Sequence, residues 1–269
     1  YMNNQTVLQY QQKYVDQLVE IAQKFDNVLF SMDNETSADK RWGEYWAGYI
    51  HEKYESKGLK VYLTEMWDPH DLQHDWHKNT FDHPETYNFV EVSQNTWQQG
   101  QRQYDNFQWV RDRLINREVI RPINNIKIYS RKRGESDPRI GVDRFYLHVW
   151  AGAASVRFHR PPGGNGLNWN AQRAIRGLRD VFREFDIFKS VPDGGLAAKD
   201  SLSFAVYFPD GGRVVLDGDA LGRSRMAEIH WYDLDYNVWK QPYTIGTSSD
   251  LPLGTPHGGH WVAVVKIKR

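Results

Sequence analysis

Two stretches decide how this chain is read. Asn27-Val28-Leu29-Phe30-Ser31-Met32 runs into Asp33-Asn34-Glu35, and Lys60-Val61-Tyr62-Leu63-Thr64 runs into Glu65-Met66-Trp67-Asp68. Each is a short apolar run closed by carboxylates and amides. Between them, Trp42, Tyr45, Trp46, Tyr49 and Ile50 recur at helical spacing, and Gly58 is placed to stop the helix. Ahead of the first strand, Tyr14, Leu18, Ile21, Ala22 and Phe25 share one helical face.

The alternation continues downstream. Residues 87–93 and 121–129 read as strands, a helix carries Phe107, Val110 and Leu114, and residues 142–150 read as a helix. Residues 155–160 form a short strand, and a helix with Ile175, Leu178, Phe182 and Phe185 closes a series of about five strand–helix units. Alternating strands and helices predict a parallel sheet, with polar residues gathered just after the strands. A (β/α) barrel places its active site there.

After Ile187 the texture changes. Pro192-Asp193-Gly194-Gly195 is loop-like, and alternating strands follow at 204–208, 213–216, 227–232 and 261–267. The expected organisation is a barrel portion over residues 1–189 and an antiparallel β-sandwich over 190–269.

Composition bounds the chemistry. The chain has 269 residues, 40% hydrophobic and 25% charged, with 34 basic and 34 acidic residues. That balance argues against a nucleic-acid partner. With no cysteine, disulfides, thiolate metal sites and a cysteine nucleophile are excluded. No apolar stretch is long enough to span a bilayer. There are 11 Trp, 15 Tyr and 12 Phe. Most fill cores, while Trp42, Trp67, Trp76 and Trp97, in polar surroundings, have the chemistry of sugar-stacking platforms.

These residues support a family resemblance. The strand closed by Asn34-Glu35 resembles the fourth strand of clan A glycoside hydrolases. The run containing Ala151-Gly152-Ala153-Ala154 and Arg157-Phe158-His159-Arg160-Pro161 is similar to the late barrel of apiosidase-like members. The tail, with Pro209-Asp210-Gly211-Gly212, His230-Trp231-Tyr232-Asp233 and Gly259-His260-Trp261, resembles the β-sandwich appended to them, whose usual label is collagen-binding. The resemblance implies an eight-stranded (β/α) barrel of which this chain carries strands four to eight. A separate chain or cleaved N-terminal piece would supply the rest. It also implies a secreted or periplasmic glycosidase of a plant or algal polysaccharide, working without a cofactor. The family's nucleophile closes strand seven, where Asn124, Asn125 and Lys127 stand instead of a carboxylate.

Glycoside hydrolysis takes two carboxyl groups, one to protonate the leaving oxygen and one to attack or to activate water. Glu35 is the expected acid/base, and its plain alternative is a carboxylate favoured by the following helix dipole. Glu65 is the expected second carboxylate, or else a salt-bridged rim residue. Asp33, Asn34, Trp67, Asp68, Asn95, Trp97, Lys127, Arg157, His159 and Arg160 make up the expected substrate-binding set. Glu91, mid-strand, is expected to be paired in the core. His70, His74 and His77 share the spacing of one helical face, but their polar segment favours a solvated helix over a metal site. A non-catalytic carbohydrate-binding or structural protein derived from such an enzyme is the other reading.

Overall fold

In the computed structural model, β1 (Phe30–Ser31) and β2 (Leu63–Thr64) pair in parallel, Phe30 against Leu63 and Ser31 against Thr64. The structure describes residues 4–129, 139–159, 167–193, 197–200, 203–217, 226–247 and 249–268. The chain forms two units, Tyr1–Gln98 with Asp105–Ile126, and Gln99–Tyr104 with Lys127–Arg269.

The first unit is built of strand–helix repeats. α1 (Gln5–Ala22) starts at Asn4, whose side chain accepts from Val7 N, and α2 (Lys40–Glu55) starts at Asp39, which accepts from Arg41 N. Both caps satisfy N–H groups that a helix start leaves open. α2 ends shortly before Gly58, which takes a φ of 67° that a glycine adopts without strain. α3 (Asp75–Phe81), β3 (Val90–Glu91) and α4 (Gly100–Asn116) follow. β3 pairs in parallel with β4 (Ile123–Ile128) through Val90–Ile123 and Glu91–Asn124. β1, β2 and β3 are shorter than the apolar runs suggest, and side chains serve some backbone groups inside the strands: Leu63 N donates to Asn88 Oδ1 and Ile126 N to Ser93 Oγ.

Val19 and Ala22 of α1 are buried, and Val19 packs with Ala47, Ile50 and Tyr54 of α2 and with Leu63 of β2. Tyr14, Leu18, Ile21 and Phe25 are exposed. The sequence periodicity therefore finds the helix, but of the stripe it marks only Ala22 is buried and the four larger residues face outward.

In the second unit, α5 (Arg139–Trp150), β5 (Ser155–Phe158) and α6 (Trp169–Phe182) precede an antiparallel part. Its strands are β6 (Val191–Pro192), β7 (Ala197–Lys199), β8 (Ser203–Phe208), β9 (Arg213–Asp217), β10 (Met226–Asp233), β11 (Val238–Trp239), β12 (Tyr243–Gly246), β13 (Asp250–Gly254) and β14 (Trp261–Lys268). Seven of them form one sheet in the order β11-β10-β14-β8-β7-β6, with β12 also on β10, while β9 pairs with β13.

Alternation along these strands separates two cores. Phe204, Val206, Phe208, Trp261, Ala263 and Val265 pack with Leu216, Leu251 and Leu253 of the β9–β13 pair. Ala205, Tyr207, Val262 and Val264 pack with Tyr146, Trp150, Ala174 and Val181 of α5 and α6. The Trp150 indole N–H is satisfied by Ala205 O at 3.0 Å, so a large ring is buried without an unpaired donor. The result is an α/β chain with a seven-stranded antiparallel sheet. Among the described residues no helix is long and apolar enough to cross a membrane.

Candidate active site

The polar residues after β1 and β2 lie close in the fold because the two strands are adjacent and parallel. The pairing carries on past the strands: Thr36 N donates to Met66 O at 2.9 Å and Asp68 N to Thr36 O at 3.0 Å. Asp33 caps the turn, accepting from Asn34 N through Oδ1 at 2.8 Å. Glu35 is exposed and sits at a φ of 51°, a conformation that a non-glycine residue adopts at some cost. It therefore lies on a bend between β1 and α2.

Glu65 has a different environment. It is 1% exposed, and its carboxyl group is set against α2 at Gly43. A side chain at that glycine would meet Glu65 Oε2 at 1.9 Å and the Tyr87 hydroxyl at 2.9 Å. Gly43 is thus the gap in the helix that admits the carboxyl group. Burial pushes the Glu65 carboxyl up to about 8, the charge of Asp33 adds to the rise, and backbone N–H groups of Met66 and Asp33 hold it back. The Tyr87 phenol is also raised, by burial first and then by the charges of Glu65 and Glu44. Among the described residues, Glu65 Oε1 and Tyr87 Oη have no hydrogen-bond partner. Gly43 and Tyr87 are members of this site that sequence reasoning missed. The available signal was a glycine in the middle of an aromatic-rich helix.

The remaining expected residues fall into distinct settings. Trp67 is buried, its indole N–H donating to Thr80 Oγ1 at 2.9 Å, so its ring belongs to the core. Asp68 is exposed. Asn95 is fully buried in the single-turn helix Ser93–Trp97 after β3, where its Oδ1 faces Asn106 Nδ2 at 3.4 Å. Trp97 is 49% exposed. It stacks on His70 with ring centroids 4.3 Å apart, and its N–H donates to Gln94 Oε1 at 3.0 Å. The ring is therefore fixed and open to solvent. Glu91 is buried and accepts from Ser93 N at 2.6 Å, from the Ser93 hydroxyl and from Asn124 Nδ2 at 3.1 Å.

The three histidines diverge. His70 stacks on Trp97, His74 Nδ1 accepts from Trp76 N, and His77 Nε2 lies 2.8 Å from Pro69 O. Burial lowers the His77 pKa to about 4. Among the described residues no three potential ligands gather for a metal.

In the second unit Lys127 is buried, Arg157 is exposed, and His159 stands edge-on to Tyr129 at 5.0 Å. Arg157 and His159 line a cavity of about 760 Å³ whose walls are otherwise mainly apolar, with Phe145, Phe158 and Phe182 among them. Arg160 lies outside the described residues.

A carboxylic acid that keeps its proton at neutral pH can donate it. Glu65 is such a group, raised by burial first and then by the charge of Asp33.

No family model matches the chain, and no curated protein matches it. Solved structures do. A glycoside hydrolase family 5 protein from Bacteroides vulgatus superposes with a TM-score of 0.63 at 15% identity, covering 93% of this chain and 65% of that one. A second structure, described as a glycoside hydrolase, superposes with a TM-score of 0.63 at 14% identity, covering 95% of this chain and 68% of that one. The chain thus spans just under two thirds of the first structure's length, and what it shares with both is the fold of glycoside hydrolases.

Proposed function

We propose that this chain is a glycoside hydrolase of a plant or algal polysaccharide, exported from a bacterial cell, with Glu35 as acid/base and Glu65 as the second carboxyl group. Asp33, Asn34, Asp68, Asn95 and Trp97 are the sugar contacts of the first unit, and Lys127, Arg157, His159 and Arg160 those of the second. The observation that carries the reading is the carboxyl cluster after two adjacent parallel strands, with Glu65 raised to about 8 beside Asp33. The likeness of fold to glycoside hydrolases supports it.

In this reading the strand–helix repeats belong to a (β/α) barrel of the glycoside-hydrolase kind. The antiparallel part from about residue 190 is an appended β-sandwich. The test is reducing-end release from a panel of plant and algal polysaccharides. Glu35→Gln lowers turnover by about a hundredfold or more if its proton transfer drives the reaction. Undiminished turnover by that variant rejects the assignment.

A second reading has its own observation. Glu65 is enclosed against Gly43 while Glu35 is exposed on a bend, which suits a carbohydrate-binding protein derived from such an enzyme. Saturable polysaccharide binding without any reducing-end release selects it.

A further inference from the structure

A cleft of about 230 Å³ in the second unit shares no residue with the sites considered so far. Gln99, Gln101 and Gln103, from the start of α4, form one side of it, and α5 forms the other. Ile140, Asp143, Arg144 and Leu147 stand at steps of three, one and three along α5, so one face of that helix lines the cleft. Pro209, just after β8, completes the wall. Drug-sized ligands take roughly 300–1,000 Å³, so this cleft is the size of a single small ring.

One polar group in the cleft is fixed from behind. Asp143 Oδ1 accepts from the Tyr207 hydroxyl at 2.6 Å and from His260 Nε2 at 3.2 Å. The other ring nitrogen of His260 donates to Asp235 Oδ1 at 2.9 Å. Both nitrogens face carboxylates, so both carry hydrogen. Tyr207 and His260 are buried, and Asp235 is itself paired with Arg173. Among the described residues nothing bonds Asp143 Oδ2. That oxygen is left as a preorganised acceptor for whatever enters the cleft.

The lining narrows the class of ligand. Among the described residues its charged members are Asp143 and Arg144, one of each sign, so the cleft favours neither a free anion nor a free cation. The glutamine amides both donate and accept, which suits hydroxyl groups, since these do the same. Ile140, Leu147 and Pro209 give the wall an apolar part. A ring with hydroxyl edges and an apolar C–H face matches that division of polar and apolar lining.

We infer that this cleft binds one neutral pyranose-type sugar unit, with Asp143 Oδ2 and the glutamine amides on its hydroxyls and Ile140, Leu147 and Pro209 against its C–H face. The choice of a sugar rests on the carbohydrate reading proposed above. The binding does not depend on catalysis, because none of these residues has a part in the proposed chemistry.

The experiment follows the methyl groups of Ile140 and Leu147 by NMR in the full chain. The probes are methyl β-D-glucopyranoside, methyl β-D-xylopyranoside, glucuronate and glucosamine. A neutral glycoside is expected to shift both sets of methyl signals to saturation, with a dissociation constant on the order of 1 mM. Asp143→Asn weakens that binding by about tenfold and, independently, Gln99→Ala by about threefold. Gln99 is exposed, so its replacement tests the cleft without disturbing the core. Methyl signals that move with neither neutral glycoside overturn the assignment. So does a preference for glucuronate or glucosamine, or a pair of variants that bind as the wild type does. A chain that shows the methyl shifts but releases no reducing ends from polysaccharides keeps this site and loses the glycosidase reading. Release without the shifts does the reverse.

Discussion

Replacing Glu65 by Gln removes a buried titration and leaves the shape of the side chain. The folded chain holds the Glu65 proton to about pH 8, against an ordinary value of 4.5. Below about pH 4.5 both folded and unfolded states are protonated, and the group has no effect on stability. Between 4.5 and 8 the unfolded chain ionises while the folded chain does not. The unfolded state then binds fewer protons, so stability falls as pH rises, by about 1.4 kcal/mol per pH unit. At pH 7 the accumulated loss is about 3 kcal/mol, and above pH 8 the slope ends. Glu65→Gln is free of this loss. Urea denaturation of both proteins at pH 4.5, 6, 7 and 8.5 gives the difference directly. The variant gains about 3 kcal/mol on the wild type between pH 4.5 and 7. Any constant contribution of the amide cancels in that difference. A stability difference that does not change with pH refutes the reasoning, because it would mean that Glu65 ionises normally in the folded chain.

Other consequences are open to direct measurement. Gly43→Ala puts a methyl group 1.9 Å from Glu65 Oε2, and destabilisation of about 2 kcal/mol is expected. A double change with Glu65→Ala recovers much of it in the same melts. His260 is buried, which by itself lowers its pKa, but Asp143 and Asp235 hydrogen-bond both its ring nitrogens and raise it to about 9. Its contribution, about 3 kcal/mol, is present in full below about pH 6.5 and is lost as pH rises through 9; His260→Gln should flatten the alkaline limb of melting temperature against pH. Trp97→Ala, at an exposed ring, should weaken oligosaccharide binding about tenfold in calorimetry with little change in melting temperature.

Much of the fold is legible in the sequence, because apolar periodicity reports burial. The alternation of strands and helices up to α6 and the antiparallel series after it follow from runs such as Leu63-Thr64 and Trp261–Lys268. Periodicity shows that residues share a face but not what covers the face, so most of the stripe at α1 is exposed. The site is less legible, since position after a strand does not fix the direction of a side chain. Trp67 and Trp97 read alike in the sequence, yet one is locked in the core by Thr80 and the other lies open on His70. Gly43 and Tyr87 leave almost no sequence trace, because their part in the site depends on a contact of α2 with Glu65 and with the segment ahead of β3.

The period of β2 bears on the mechanism. Side chains two residues apart on a strand share a face. Leu63 packs with Ala47 and Ile50 of α2, and Glu65 follows it on that side, against Gly43. Thr64 turns to the other face, where it is buried and its hydroxyl has no partner among the described residues. Thr64 and Glu65 are both 1% exposed, whereas Asp33 is half-buried and Glu35 is exposed. On the glycosidase reading Glu65 acts either on the sugar directly or through Asp33, whose charge it feels and from whose backbone N–H it accepts. Steady-state kinetics of Glu65→Gln separates the two routes. A change confined to KM and its pH dependence fits action through Asp33, whereas a collapse of kcat requires direct contact.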